Sequence, residues 1–171
     1  PEDITDKPGA KDLPPIRGHV TFDKVNFSYE PGNPILKDVD FVITPGMRVA
    51  IVGPTGAGKT TIVNLLSRFY NPDEGKIMID GLDINDLTIK SIRQQVGVML
   101  QDSFLFTGSI IDNIRYGRLD ATDEECMNAA KAVQAHEFIS AFPDGYNTQL
   151  SANGGGLSAG QKQLISFARV L

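Results

Sequence analysis

Residues 1–17, PEDITDKPGAKDLPPIR, carry Pro, Asp and Lys around isolated apolar positions with no period, a composition that predicts an exposed linker with poor order. From His19 to Tyr29 apolar and polar residues alternate, the pattern of a half-exposed strand, and Pro31-Gly32-Asn33-Pro34 closes it with a turn. Val39, Phe41 and Ile43 alternate again in a second strand, ended by Pro45-Gly46. Arg48 to Val52 is different: it is short and almost continuously apolar, which predicts a strand buried on both faces of a parallel sheet and therefore helices on both sides. Ile62, Leu65, Leu66 and Phe69 then fall at i, i+3, i+4 and i+7, so a helix follows until Asn71-Pro72 stops it. Further strands are expected at Lys76–Ile79, with a turn at Asp80-Gly81, and at Val96–Leu100, with a short helix from Leu87 to Gln94 between them.

Beyond Gln101 the pattern is helical, with no clear strand. Thr122-Asp123-Glu124-Glu125 is a capping box, and Cys126, Ala129, Ala130 and Val133 form the apolar stripe of the helix it opens. Phe138, Ile139 and Phe142 line a shorter helix that Pro143-Asp144-Gly145 ends. The loop Ser151–Gly156 leads to a last helix from Ser158, whose core face would carry Leu164, Ile165, Ala168 and Leu171. The expected organisation is a linker over 1–17, an α/β core over 18–101 and a helical subdomain over 102–171.

A chain of 171 residues is about one domain and can bury roughly 70% of its unfolded surface, so it needs no staple of disulfides or metal. With 41% hydrophobic and 22% charged residues, collagen-like, coiled-coil and wholly disordered classes are excluded. Lys and Arg number 16 against 21 Asp and Glu, a net charge of −5, the wrong sign for a nucleic-acid backbone partner. Any polyanion must then be met by local donors. Cys126 is the single cysteine; it excludes an internal disulfide, fits a reducing compartment, and on an apolar stripe reads as buried and inert. No apolar run approaches the eighteen or so residues of a membrane span, and Pro1–Lys7 lacks signal-peptide character. His19 and His136 read as surface histidines, and the charged run Asp120–Glu125 as a solvated helix start.

Gly53-Pro54-Thr55-Gly56-Ala57-Gly58-Lys59-Thr60 matches G-x-x-x-x-G-K-[ST] between an expected strand and an expected helix. Glycines let the backbone curl its N–H groups toward phosphates, and the helix N-terminus adds its dipole. Lys59 reaches the β- and γ-phosphates, and the Thr60 hydroxyl ligates Mg²⁺. A P-loop alone does not choose among kinases, GTPases, motors and transporter ATPases. No Asn-Lys-x-Asp guanine-reading motif occurs, which counts against a GTPase.

Leu157-Ser158-Ala159-Gly160-Gln161, followed by Lys162 to Arg169, resembles the L-S-G-G-Q signature of ATP-binding-cassette (ABC) ATPases. Gln101 to Ile110 (QDSFLFTGSI), with Asn113-Ile114, resembles the Q-loop segment of the exporter branch, and Tyr29 matches the family's A-loop aromatic. The resemblance covers nearly all of the chain from about His19 onward, in the right order. It implies a P-loop NTPase core, a parallel sheet plus N-terminal antiparallel strands, joined to a helical signature subdomain, with the C-terminal core strands missing.

Roles follow from that resemblance. Gly53, Pro54, Thr55, Gly56, Ala57, Gly58, Lys59, Thr60 and Thr61 would surround the phosphates of ATP. Tyr29 would stack on adenine, the alternative being a tyrosine that packs on its own sheet. Gln101 would coordinate Mg²⁺ beside Thr60, or hold the attacking water, and would act in catalysis with Lys59, the alternative being a polar loop residue. Ser158, Ala159, Gly160 and Gln161 would meet the γ-phosphate held by the P-loop of a second nucleotide-binding domain, identical or not; S-x-x-Q is equally a capping box, which leaves Ser158 capping its own helix as the alternative. Two positions depart from the family pattern: Ala159 replaces the first signature Gly, and Ala152 stands where exporters often carry Glu. The Mg²⁺-side Asp, the catalytic Glu, the D-loop and the switch His would fall beyond Leu171, leaving apolar surface and an open sheet edge. The implied function is the ATP-binding domain of an exporter, an ABC-type ATPase at the cytoplasmic face of the cell membrane whose transmembrane domain precedes the linker. The alternative for this chain alone is a nucleotide-binding module without hydrolysis.

Overall fold

The computed structural model describes residues 4–99, 104–152 and 154–171. The chain forms two units, Pro1–Val96 and Gly97–Leu171.

The first unit is built on one antiparallel sheet in the order β2-β1-β3-β4. β1 (Val20–Ser28) pairs with β2 (Pro34–Ile43) on one edge and β3 (Glu74–Ile79) on the other. The alternation seen in the sequence puts Phe22, Val25 and Phe27 inward, where they are buried with Leu36, Leu65, Ile77 and Ile79. Phe22 also stacks on Phe41 across the β1–β2 pair, with ring centroids 4.5 Å apart. The β1–β3 register shifts between Asp23 and Asn26, and Gly75 lies against this bulge at φ 82°, where a Cβ would sit 2.3 Å from the Lys24 carbonyl oxygen. Only glycine fits there. β3 turns through Asp80-Gly81 into the two-residue β4 (Leu82–Asp83), as the sequence predicts.

Two helices complete the unit. α1 (Lys59–Leu66) ends five residues before the expected stop at Asn71-Pro72, because Arg68 takes a left-handed φ of 53° and breaks the helical path. α2 (Ile89–Gln95) starts on Thr88, whose hydroxyl accepts from the Ser91 N–H.

Three sequence expectations are corrected here. Arg48–Val52 belongs to no strand, and Val49, Ile51 and Val52 are exposed, Val52 by 87%. A buried parallel strand is held by ladders on its neighbours, and among the described residues none pairs with this run. Residues 96–99 are likewise outside any strand; Leu100 lies outside the described residues. The stretch from Thr5 to Arg17 does not hang free. Leu13 is buried in the sheet's core, its N–H donates to the Ser91 hydroxyl at 2.8 Å, and Lys11 forms a parallel bridge to Leu87. Gln95 clasps the same stretch from both sides, its amide accepting from Ile16 N–H at 3.0 Å and donating to Leu13 O at 2.9 Å. Asp80 accepts from Arg17 N–H and His19 N–H, two backbone bonds that hold its carboxyl below the usual range.

The second unit is helical, as expected, apart from a small two-stranded ladder of β5 (Gly108–Ser109) and β6 (Gln149–Leu150). Its helices are α3 (Ile110–Arg115), α4 (Asp123–Ala132), α5 (His136–Ser140) and α6 (Ala159–Val170). The capping box at Thr122 and Glu125 is present with both reciprocal bonds. Leu105, Ile110, Ile114, Cys126, Ala130, Ile139, Ile165 and Ala168 share one core, each large aliphatic side chain contributing about 1.5–3 kcal/mol by leaving water. Burial pushes the Cys126 thiol up, as expected of an inert cysteine. Of the expected core face of α6, Ile165 and Ala168 are buried and Leu164 partly so, while Leu171 is exposed.

Candidate functional site

The P-loop runs from a bend at Pro54, closed by the Ala57 N–H donating to Pro54 O at 3.2 Å, into the first turn of α1. Gly58 is the N-cap residue of α1 at φ 83° and offers no side-chain cap, and no acidic residue occupies the first turn. A Cβ on Gly58 would lie 2.6 Å from Leu36 Cδ2, so glycine is required both by the left-handed backbone and by the approach of β2. Among the described residues the leading N–H groups of α1 therefore have no side-chain cap, and the helix dipole presents its positive end.

Lys59 folds back over its own loop. Its Nζ donates to Gly53 O at 2.9 Å and Pro54 O at 2.7 Å, so the ammonium is held by two carbonyls and by no carboxylate among the described residues. Thr60 is exposed beside it, whereas Thr61 is buried. Thr55, Gly56 and Ala57 line the exposed turn between. A single hydroxyl with open surroundings suits Mg²⁺, which keeps several waters and takes its remaining ligands from phosphates.

Tyr29, at the end of β1, is brought to the same helix. Its hydroxyl donates to Thr61 Oγ1 at 3.2 Å and accepts from Asn64 Nδ2 at 3.3 Å. Its ring meets Phe27 and Tyr70 edge-on at 4.9 and 5.0 Å, yet the side chain stays 45% exposed. The ring is thus tied to its own sheet and helix while keeping surface free for stacking. Asn64 and Tyr70 were not singled out from the sequence; Asn64 is three residues beyond Thr61 and so shares its face, a signal that could have found it.

At the signature, Ser158 caps α6. Its hydroxyl accepts from Gln161 N–H at 3.2 Å, and Gln161 Oε1 accepts from Ser158 N–H at 2.9 Å. Ser158, Ala159 and Gly160 are exposed. The far end of α6 is fastened by Arg169, whose Nε donates to Asn113 O at 2.8 Å and whose two terminal nitrogens donate to Phe104 O and Asn113 Oδ1, both at 3.0 Å. Buried Asn113 also accepts from Phe106 N–H and donates to Phe106 O and Ser109 O, so its amide is fully used. Arg169 and Asn113 entered the sequence reading only as parts of motifs, with no role of their own, because their partners lie on other segments. Gln101 lies outside the described residues.

An open cleft of about 730 Å³ flanks the N-terminal stretch, lined by Lys7, Lys11, Lys76, Leu82 and Asp86 among others. None of the P-loop, Tyr29 or signature residues lines it.

The family model described as ABC transporter matches residues 36–171. The chain belongs to the ABC transporter family. Among its relatives in that family, an uncharacterized ABC transporter ATP-binding protein of Bacillus subtilis, YfiC, is 53% identical over 170 residues, 99% of this chain and 28% of the relative. A fatty acid ABC transporter ATP-binding/permease protein of Mycobacterium tuberculosis is 48% identical over 98% of this chain and 27% of its own length. A solved bacterial Atm1-family ABC exporter with ATP bound matches with a TM-score of 0.93 and 46% identity, over 98% of this chain and 29% of that one. The chain thus spans less than a third of these ABC transporters, and its mixed α/β fold is that of the family's P-loop domain.

Proposed function

We propose that the chain is the ATP-binding part of an ABC-type exporter and that the P-loop at Gly53–Thr60 holds the phosphates of ATP. The observation that carries this reading is the uncapped start of α1 combined with Lys59, a cation bonded, among the described residues, only to loop carbonyls. A phosphate chain offers charge-assisted bonds to both features at once. Lys59 would turn from Gly53 O and Pro54 O to the β- and γ-phosphates, and the Thr60 hydroxyl would hold Mg²⁺, which neutralises charge on the phosphate oxygens when bound. Thr61, buried against Tyr29, would keep the helix in register with the aromatic ring, and Tyr29 would carry adenine on its free face. Gln101 would join Thr60 at the metal.

The signature would act on a second nucleotide-binding domain, identical or different. Ser158 either closes its own capping box or turns its hydroxyl to the γ-phosphate held by that partner, so nucleotide contact opens the box. Hydrolysis and transport are assigned to the whole protein, with a transmembrane domain and a place at the cytoplasmic face of the membrane. The support is that relatives named as ATP-binding/permease proteins are more than three times the length of this chain. For the chain alone we propose binding without turnover.

Calorimetry with ATP and Mg²⁺ on the chain and on Lys59→Ala, with phosphate release measured on the chain and on the full-length protein, tests this. Saturable binding lost in the variant, and phosphate release only from the full-length protein, is the expected result. No binding by the unaltered chain, or equal binding by both, overturns the P-loop reading.

A further inference from the structure

The best-defined device that the function leaves unused is the stretch from Thr5 to Arg17. Apart from its docking through Leu13 and Gln95 and the exposed Lys7–Asp86 pair, it makes an ion pair to a buried partner. Arg68, two residues beyond α1, is 1% exposed, and its Nη1 lies 3.4 Å from Asp6 Oδ1. No other carboxylate pairs with it among the described residues. Its remaining bonds go to carbonyls, from Nη1 to Leu87 O at 2.5 Å and from Nη2 to Thr5 O at 3.2 Å, while its Nε is buried without a partner among the described residues. Asp6 Oδ1 also accepts from the Ile89 N–H at 2.8 Å, at the start of α2. From the other side, Arg93 of α2 donates to Ser67 O and Arg68 O and lies over the Phe69 ring.

The foot of α1 is therefore gripped by a buried cation whose counterion belongs to the N-terminal stretch. A buried charge stripped of its partner is strongly unfavourable. α1 has eight residues and is about 12 Å long, and its other end carries Lys59 and Thr60. A short helix moves as a rigid rod, so displacement at Arg68 shifts the phosphate-binding turn.

We propose that Thr5–Arg17 is a strap, latched by the Asp6–Arg68 pair, that positions the P-loop helix, so that strap docking and nucleotide binding favour one another. Asp6 and Arg68 are positioning residues. Because linkage is reciprocal, any pull that lifts the strap from upstream weakens nucleotide binding, and bound nucleotide tightens the strap. This rests on the reading of the P-loop as an ATP site.

The test uses the 171-residue chain. Asp6→Asn keeps the shape of the side chain and removes its charge. Exchange of the Ile89 amide should quicken at least about tenfold in that variant, and ATP–Mg²⁺ affinity should fall about five- to tenfold. Lys7→Ala, which removes only the exposed Lys7–Asp86 pair, should change neither. The discriminating variant is Asp6→Asn combined with Arg68→Met. It eliminates the orphaned charge, so the thermal midpoint should recover relative to Asp6→Asn alone while ATP affinity stays weak. Affinity that recovers together with stability would reduce the pair to a structural role and overturn the proposal. So would normal ATP affinity in Asp6→Asn with the Ile89 amide released, or an unaltered exchange rate at that amide. If the unaltered chain binds no ATP, the P-loop reading fails and the positioning role with it, an outcome recognisable because Lys59→Ala then matches the unaltered chain.

Discussion

The starts of α1 and α6 are both helix N-termini assigned to phosphate, yet they are finished in opposite ways. α1 begins on a left-handed glycine with no side-chain acceptor, and its nearest cation is drawn into the loop. α6 begins on a closed capping box in which Ser158 and Gln161 satisfy each other. An uncapped helix start leaves its donors available and its local stability low, so it gains most from an anion. A capped start is stable by itself and must give up bonds before it can offer any. On the proposed reading, the first is a resident phosphate site and the second one that forms on contact.

The largest expected effect breaks the symmetry directly. Lys59→Ala should weaken ATP binding to the chain by roughly 100-fold, as losing a charged hydrogen-bonding group to phosphate usually costs about 2–3 kcal/mol, whereas Ser158→Ala should leave that affinity unchanged. Parallel calorimetric titrations read both. Next comes Gly58→Ala, which forces a left-handed φ of 83° on a side chain and drives a methyl to 2.6 Å from Leu36. A loss of about 2 kcal/mol is expected in urea unfolding. Ser158→Ala should cost about 1 kcal/mol by opening the α6 cap, visible as a lower unfolding midpoint. The smallest effect is a control at the capped start of α4. Glu125 is held down to about 2 from 4.5 by the Thr122 N–H, the Arg118 guanidinium and the Thr122 hydroxyl. A lowered folded pKa stabilises above the unfolded value, so the advantage over Glu125→Gln should be complete above about pH 4.5 and lost as pH falls toward about 2. Circular dichroism melts of both chains between those limits check the sign.

How far the sequence could be read depended on how local each determinant was. The alternation in β1 and the capping boxes at Thr122 and Ser158 are contained in a few residues, and they stand in the structure where the pattern puts them. The motif at Gly53–Thr60 was legible for the same reason. The strap was not: Leu13 bonds to Ser91 across 78 positions and Asp6 to Ile89 across 83, and nothing in PEDITDKPGAKDLPPIR announces those partners. Its prolines and charges look like a solvated leash because isolated apolar residues such as Leu13 carry no period. Arg48–Val52 failed in the other direction, since an apolar run specifies a desire for burial without supplying the neighbouring strands that satisfy it. Tyr29 was legible as a strand-end aromatic, but its bonds to Thr61 and Asn64 depend on where α1 docks.

The grip of Lys59 on Gly53 and Pro54 makes arrival at this loop an exchange reaction. An anion that recruits the ammonium must outbid two carbonyl oxygens at 2.9 and 2.7 Å, and those oxygens must then find water or another donor. Measured affinity is accordingly a difference between two sets of bonds, and the loop's own chemistry sits on the debit side. A change that loosened the carbonyls' hold without touching any ligand would tighten binding, and would leave the loop less ordered when nothing is bound.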